Sequence, residues 1–310
     1  MKKNQSILFP VLTAGIVSIS SFGIASADDI FVTNNGSSTI EEISDGGVVS
    51  TFISSGLNSP TGLAFDQSND LFVANNSGNI AEFTQGGALV TDNYDPSLTL
   101  NNPRGIAFDS TGDLFVANQA NGTIYEIAPG GGSTTVFASG LDTPNGLAFS
   151  GGNLYVSNGG NGTIDKISSG GTVTPFITGL SSPNGVAFDS AGDLLVVNHA
   201  SSQVLEFNSI GTQLPFNITD GGGAASLKTV ALDSTGNIFV TDNGNSLVTE
   251  YSPSNGAVIT TYNTPGDFYG PCFITNLVVP EPSTWALLFA GLGLLYLKVR
   301  RTRKKVAVKA

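Results

Sequence analysis

Basic residues are almost missing from the interior of this chain. Of 12 lysines and arginines in 310 residues, only Arg104, Lys166 and Lys228 lie between Lys3 and Lys298. All 24 carboxylates fall between Asp28 and Glu281, so that span carries a net charge of −21. Such a surface repels nucleic acid and anionic lipid, and no nucleic-acid partner is expected. Cys272 is the only cysteine, which rules out an intrachain disulfide and a cysteine-based zinc site. His199 is the only histidine, so no site built on two imidazoles can form. The single tryptophan, Trp285, lies in the C-terminal tail. No Gly-x-Ser-x-Gly elbow, His-Glu-x-x-His helix, phosphate loop or dinucleotide fingerprint occurs.

What is abundant is glycine, at 39 residues, in a chain with few charges. That composition suits an all-β protein with many tight turns. Long apolar stretches are confined to the two ends. Residues 1–27 read as a secretory signal, with Lys2 and Lys3 first, a mostly apolar stretch from Ile7 to Ile24, and Ala25-Ser-Ala27 for cleavage. At the other end, Pro280-Glu281-Pro282 precedes the 13-residue apolar run Trp285–Leu297, and the basic cluster Lys298–Lys305 follows. Thirteen residues fall short of the roughly 20 that cross a bilayer comfortably, though snorkelling at Lys298 extends the segment to 284–299. The cations hold its end on the cytoplasmic side.

The order of those three parts resembles the PEP-CTERM sorting signal of Gram-negative bacteria. The resemblance implies recognition by an exosortase-type membrane protease, transient or retained contact of 284–299 with the inner membrane, and delivery to the cell envelope or an exopolysaccharide matrix. The fate of the tail and the polysaccharide partner stay open on sequence alone. The organisation expected is a signal peptide (1–27), a folded domain (28–277) and a sorting segment with a short hydrophobic helix (278–310).

Between the ends one phrase recurs: Pro60-Thr-Gly-Leu-Ala-Phe-Asp66, Pro103-Arg-Gly-Ile-Ala-Phe-Asp109, Pro144-Asn-Gly-Leu-Ala-Phe-Ser150, Pro183-Asn-Gly-Val-Ala-Phe-Asp189 and Leu227-Lys-Thr-Val-Ala-Leu-Asp233. The starts are 43, 41, 39 and 44 residues apart. A period near 40 with strand-like content indicates a propeller. Each phrase is followed by an Asp/Gly turn, a second strand such as Leu71–Asn75 or Leu114–Asn118, an alternating third strand such as Thr123–Ile127, and a weaker fourth. Four antiparallel strands make one blade. The opening Ile30–Asn34 matches a second strand with no first, and Pro271–Asn276 a first strand with no second. Together they complete a sixth blade and remove two exposed edges. The expectation is an all-β, six-bladed propeller closed by its terminal strands, with Gly62 and Ala64 where the blades converge.

These repeats are similar to the NHL type, within the six-bladed group that includes gluconolactonase-like and streptogramin-lyase-like enzymes. The absence of tryptophan from the repeats argues against WD and kelch propellers. First strands begin, and second strands end, on one face, where a funnel mouth is the expected ligand site. The residue after the repeat proline is irregular: Thr61, Arg104, Asn145, Asn184, Lys228 and Cys272. Arg104 and Lys228 there suit a carboxylate, phosphate or acidic sugar, unless each pairs with a nearby aspartate. His199 lies near the same mouth, with a plain surface role as its alternative. The residues closing the second strands, Asn34, Asn75, Asn118, Asn158, Asn198 and Asp242, are regular and read as structural.

The gluconolactonase-like resemblance implies metal ligands at the position between Pro and Gly. Asn145 and Asn184 match it, yet no Asp or Glu does, and a hard divalent ion prefers charged oxygens. A streptogramin-lyase-like site implies more than one histidine. No catalytic residue, metal or cofactor is therefore expected. Asp66/Asp70, Asp109/Asp113 and Asp189/Asp193 are expected on the opposite face as turn caps, with weak calcium binding as the alternative. The reading is an exported, non-enzymatic binding or scaffold propeller; a lactonase-like or lyase-like enzyme is the alternative.

Overall fold

The computed structural model describes residues 29–44, 46–219, 226–264 and 274–276. The chain opens with β1 (Ile30–Asn34), β2 (Thr39–Ile43) and β3 (Val49–Ile53). Four complete antiparallel sheets follow: β4 (Pro60–Phe65), β5 (Leu71–Asn75), β6 (Asn79–Phe83) and β7 (Leu89–Thr91); β8 (Pro103–Phe108), β9 (Leu114–Asn118), β10 (Thr123–Ile127) and β11 (Thr134–Ser139); β12 (Pro144–Ser150), β13 (Asn153–Asn158), β14 (Thr163–Ile167) and β15 (Val173–Ile177); β16 (Pro183–Phe188), β17 (Leu194–Asn198), β18 (Gln203–Phe207) and β19 (Gln213–Thr219). A fifth contains β20 (Leu227–Leu232), β21 (Ile238–Asp242), β22 (Leu247–Tyr251) and β23 (Val258–Asn263). Last, β24 (Ile274–Asn276) pairs antiparallel with β1, Ile30 opposite Asn276, and completes blade 1 in the order β24-β1-β2-β3. The first strands of successive blades pack on one another, and β24 touches both β20 and β4, so the ring is closed.

Second strands are buried from end to end, as in β5 and β9, because each sheet is covered on both faces. Fourth strands are mostly exposed on their outer side. The core lies between blades. Each of four interfaces holds a ring flanked edge-on by two others, for example Phe72 between Tyr94 (4.8 Å) and Phe108 (4.9 Å), and Tyr155 between Phe176 (5.1 Å) and Phe188 (4.9 Å). Such pairs add about 0.5–1.5 kcal/mol beyond their burial. Six apolar clusters of this kind fuse the blades.

Glycine at the third position of the phrase marks the axis. A Cβ on Gly62 would meet the Arg104 carbonyl, on Gly105 that of Asn145, and on Gly146 that of Asn184, all well inside van der Waals contact. Ala64 does not share this position. Two residues further along the strand and on the same face, it packs against the cluster of Phe72 and Ile106 between blades 2 and 3. The Asp turns are caps, as the phrase implies: Asp66, Asp109 and Asp189 each accept two backbone N–H bonds through Oδ1, at 2.8–3.0 Å. The signal segment 1–27, Cys272, Pro280-Glu281-Pro282 and the expected helix at 284–299 lie outside the described residues. Among the described residues no helix is long and apolar enough to cross a membrane.

Candidate ligand site at the channel mouth

Each first strand starts with the same local distortion. The ladder slips by one residue between Pro60 and Leu63, Pro103 and Ile106, Pro144 and Leu147, Pro183 and Val186, and Leu227 and Val230. Bulges re-aim side chains. Here the slip lifts the residue after proline out of register, at the axis. The residue before each repeat proline, Ser59, Asn102, Thr143 or Ser182, takes a positive φ of 51–58° to turn the chain into the strand. Non-glycine residues held there cost of order 1–3 kcal/mol and persist where the surroundings fix them.

The closing asparagines hold these entry turns. Oδ1 of Asn75 accepts the N–H of Asn58 (2.9 Å), Asn118 that of Asn101 (2.6 Å), Asn198 that of Ser181 (2.6 Å), and Asp242 that of Ser226 (3.0 Å). All four are buried and bind the inter-blade connection. Asn34 and Asn158 differ: Asn34 accepts from Ser37, and Asn158 donates to Thr163 and Asp165.

Five of the six residues after the repeat proline are described, and they divide. Thr61 is fully buried; its hydroxyl lies 3.0 Å from the Ala74 carbonyl and 2.8 Å from that of Pro103, tying blade 2 to blade 3. Arg104, Asn145, Asn184 and Lys228 belong to four consecutive blades. Arg104 donates through Nε to Gln119 Oε1 (3.1 Å), and Gln119 Nε2 donates to Asn145 Oδ1 (2.5 Å). Gln119 Oε1 also accepts from Asn102 (2.5 Å). On the far side, Lys228 Nζ donates to His199 Nε2 (3.0 Å), and His199 Nδ1 lies 2.8 Å from the Leu227 carbonyl. A carbonyl only accepts, so the proton sits on Nδ1 and Nε2 is the acceptor. Asn184 stands between the two groups, and its buried Oδ1 has no hydrogen-bond partner.

Gln119 carries no signal in the repeat phrase. It does share the position of His199, one residue past the closing asparagine and at the start of a short 3-10 turn (Gln119–Asn121 and His199–Ser201). In blade 4 this place is Gly159, where a Cβ would come within 2.7 Å of Asn145 Nδ2. The missing side chain makes room for that amide.

Two features define the electrostatics. Burial pulls the Arg104 guanidinium down to about 10, with no neighbouring carboxylate to offset it. Burial, then the adjacent Lys228 charge, lowers His199 below the ordinary imidazole value, and the Leu227 carbonyl opposes this. Among the described residues, Arg104 bonds Gln119 and Lys228 bonds His199.

These contacts also test the fit to a metal. Asn145 Oδ1 is consumed by Gln119, and no carboxylate stands among Arg104, Asn145, Asn184 and Lys228. Among the described residues, the one acidic group spaced to hold an ion is Asp189, Asp193 and Glu206, on the opposite face. The donors that the described residues bring to the mouth do not fit a hard divalent cation.

The PEP-CTERM protein-sorting motif matches residues 278–304. The chain is a six-bladed β-propeller with a PEP-CTERM sorting signal. Exosortase, a membrane protease, recognises that signal, so the chain is directed through the membrane to the cell envelope. None of the curated proteins matches it. Among solved structures, a chain of a nidogen/laminin complex superposes with a TM-score of 0.69 at 19% identity, covering 81% of this chain and 100% of that one. A virginiamycin B lyase from Staphylococcus aureus gives 0.59 at 15%, covering 81% and 87%. A gluconolactonase from Xanthomonas campestris gives 0.59 at 19%, covering 71% and 85%. At such identities the likeness establishes the fold and nothing finer.

Proposed function

We propose that the propeller is a non-enzymatic binding or scaffold protein whose channel mouth takes a carboxylate-bearing ligand, such as an acidic sugar of an exopolysaccharide matrix. It acts after residues 1–27 are removed and the sorting segment 278–310 has delivered the 28–277 domain. The observation that carries the reading is the bond from Gln119 Nε2 to Asn145 Oδ1. It turns the oxygen of Asn145 away and leaves its N–H₂ as the group on offer, beside the half-buried Arg104. Arg104, the Asn145 amide, Asn184 and Lys228 then form an arc dominated by donors, in a protein that is otherwise strongly acidic. Donors around a partly desolvated cation suit a carboxylate, which accepts only.

The enzymatic reading has less support. One solved relative is a His-to-Ala variant of virginiamycin B lyase described as catalytically inactive. Here the sole imidazole has both nitrogens engaged, one with Leu227 and one with Lys228. A general base needs an available nitrogen within reach of its substrate.

Titration of glucuronate and glucose into the protein and into an Arg104→Ala/Lys228→Ala variant tests this reading. Binding of the acid alone, weakened at least tenfold by the double change, is expected. Equal binding of both sugars, or no loss in the variant, would reject the site. Turnover in a lactone or lyase screen would reinstate the enzyme.

A further inference from the structure

The face opposite the mouth carries a second kind of site, in the cleft between blades 2 and 3. This cleft has a volume of about 540 Å³. One wall is aromatic, with half-buried Tyr94 and Phe108 on either side of buried Phe72. The rim carries Asp66 and Glu82. Neither has a basic partner: the three cations of the described residues are Arg104 and Lys228 at the mouth and Lys166 in blade 4. Burial, then the charges of Asp70 and Asp66, raises Glu82 above its ordinary value.

Acidic residues alone would not name a ligand. The repeat does, because blade 4 holds the complementary group in the same place. Glu82 pairs across the strands with Phe72, and Lys166 pairs in the same register with Tyr155. The ring of Tyr155 sits edge-on between Phe176 and Phe188, as Phe72 sits between Tyr94 and Phe108. The Lys166 ammonium lies 5.7 Å from the Tyr155 centroid. Blade 4 also replaces the turn aspartate by Ser150. Where the chain supplies an ammonium over this aromatic group, both rim acids are gone; where both acids are present, no ammonium is supplied.

We propose that the cleft between blades 2 and 3 binds an alkylammonium group, with its stem against Tyr94 and Phe108 and its charge between Asp66 and Glu82. Cation–π attraction and charge pairing act together there, and neither needs a change in backbone. The class covers a small diamine and a lysine side chain presented by a polypeptide.

The test uses the full chain with its seven tyrosines isotopically labelled. 1,5-Diaminopentane and Nα-acetyl-lysine methylamide are titrated separately, with 1-pentanol as the uncharged control. Both amines should shift the Tyr94 ring signals and 1-pentanol should not; the tighter amine identifies the source. Glu82→Lys plants the blade 4 ammonium in the cleft and should weaken amine binding at least tenfold. Glu82→Gln, close in shape, should weaken it severalfold without perturbing the fold. Conversely, Ser150→Asp with Lys166→Glu should make the Tyr155 signals respond to amine, as they do not in the parent. Tyr94 signals unmoved by amine, or moved equally by 1-pentanol, or equally in both Glu82 variants, would overturn the proposal.

Discussion

The ammonium of Lys228 stands 3.0 Å from Nε2 of His199, the only imidazole in the chain. That contact exists only while Nε2 is unprotonated. Protonation removes the acceptor and sets two positive charges side by side, so the folded state resists it. His199 should titrate below the ordinary value of about 6.5, because burial comes first and Lys228 adds to it. The unfolded chain takes up this proton at higher pH than the folded one. The stabilising contribution is therefore present above about 6.5 and is lost as pH falls through the lower folded value. Histidine ring signals followed by NMR check the midpoint. Lys228→Ala should raise it, and a parent midpoint at or above 6.5 would refute the contact.

In blades 2 to 5 the axis leaves no room for a side chain at the third position of the phrase, a place that Thr229 takes in blade 6. Gly62→Ala drives a Cβ onto the Arg104 carbonyl. Overpacking of this kind typically costs about 1–3 kcal/mol, and backbone on the receiving side puts this change at the upper end. Gly170→Ala, in an open turn with nothing nearby, should be close to neutral. Urea unfolding of the two variants measures the contrast.

Gln119 positions Asn145 and steadies Arg104 without adding charge. Gln119→Glu keeps the shape, pairs with the guanidinium, and takes away the donor to Asn145. Affinity for an acidic sugar should fall at least tenfold, while the unfolding midpoint changes little. Unaltered affinity would show that the Asn145 amide is not presented by Gln119.

Much of this architecture can be read from the repeat itself. Proline, glycine and the Ala-Phe-Asp close recur because each answers a steric demand: entry into the axial strand, close approach at Gly62, and a capped turn at Asp66. The closure of the ring follows from Ile30–Asn34 and the final phrase being complementary halves, and Ile30 does pair with Asn276. The site was legible only in outline. Arg104, Asn145, Asn184 and Lys228 stand out as irregularities in a regular frame. Thr61 stands out for the same reason, yet the structure spends its hydroxyl on two carbonyls. Gln119 is invisible in the phrase because its role depends on reaching from blade 3 to blade 4, a contact across 26 residues of sequence.

Anomalous diffraction from crystals grown with selenate addresses the central claim most directly, since the scatterer reports where an anion sits. The account predicts a selenium peak at the channel mouth within hydrogen-bond reach of Arg104, with the Asn145 amide donating to the same oxyanion. A mouth without selenium, or one holding a calcium or zinc ion bound through the oxygens of Asn145 and Asn184, would contradict it.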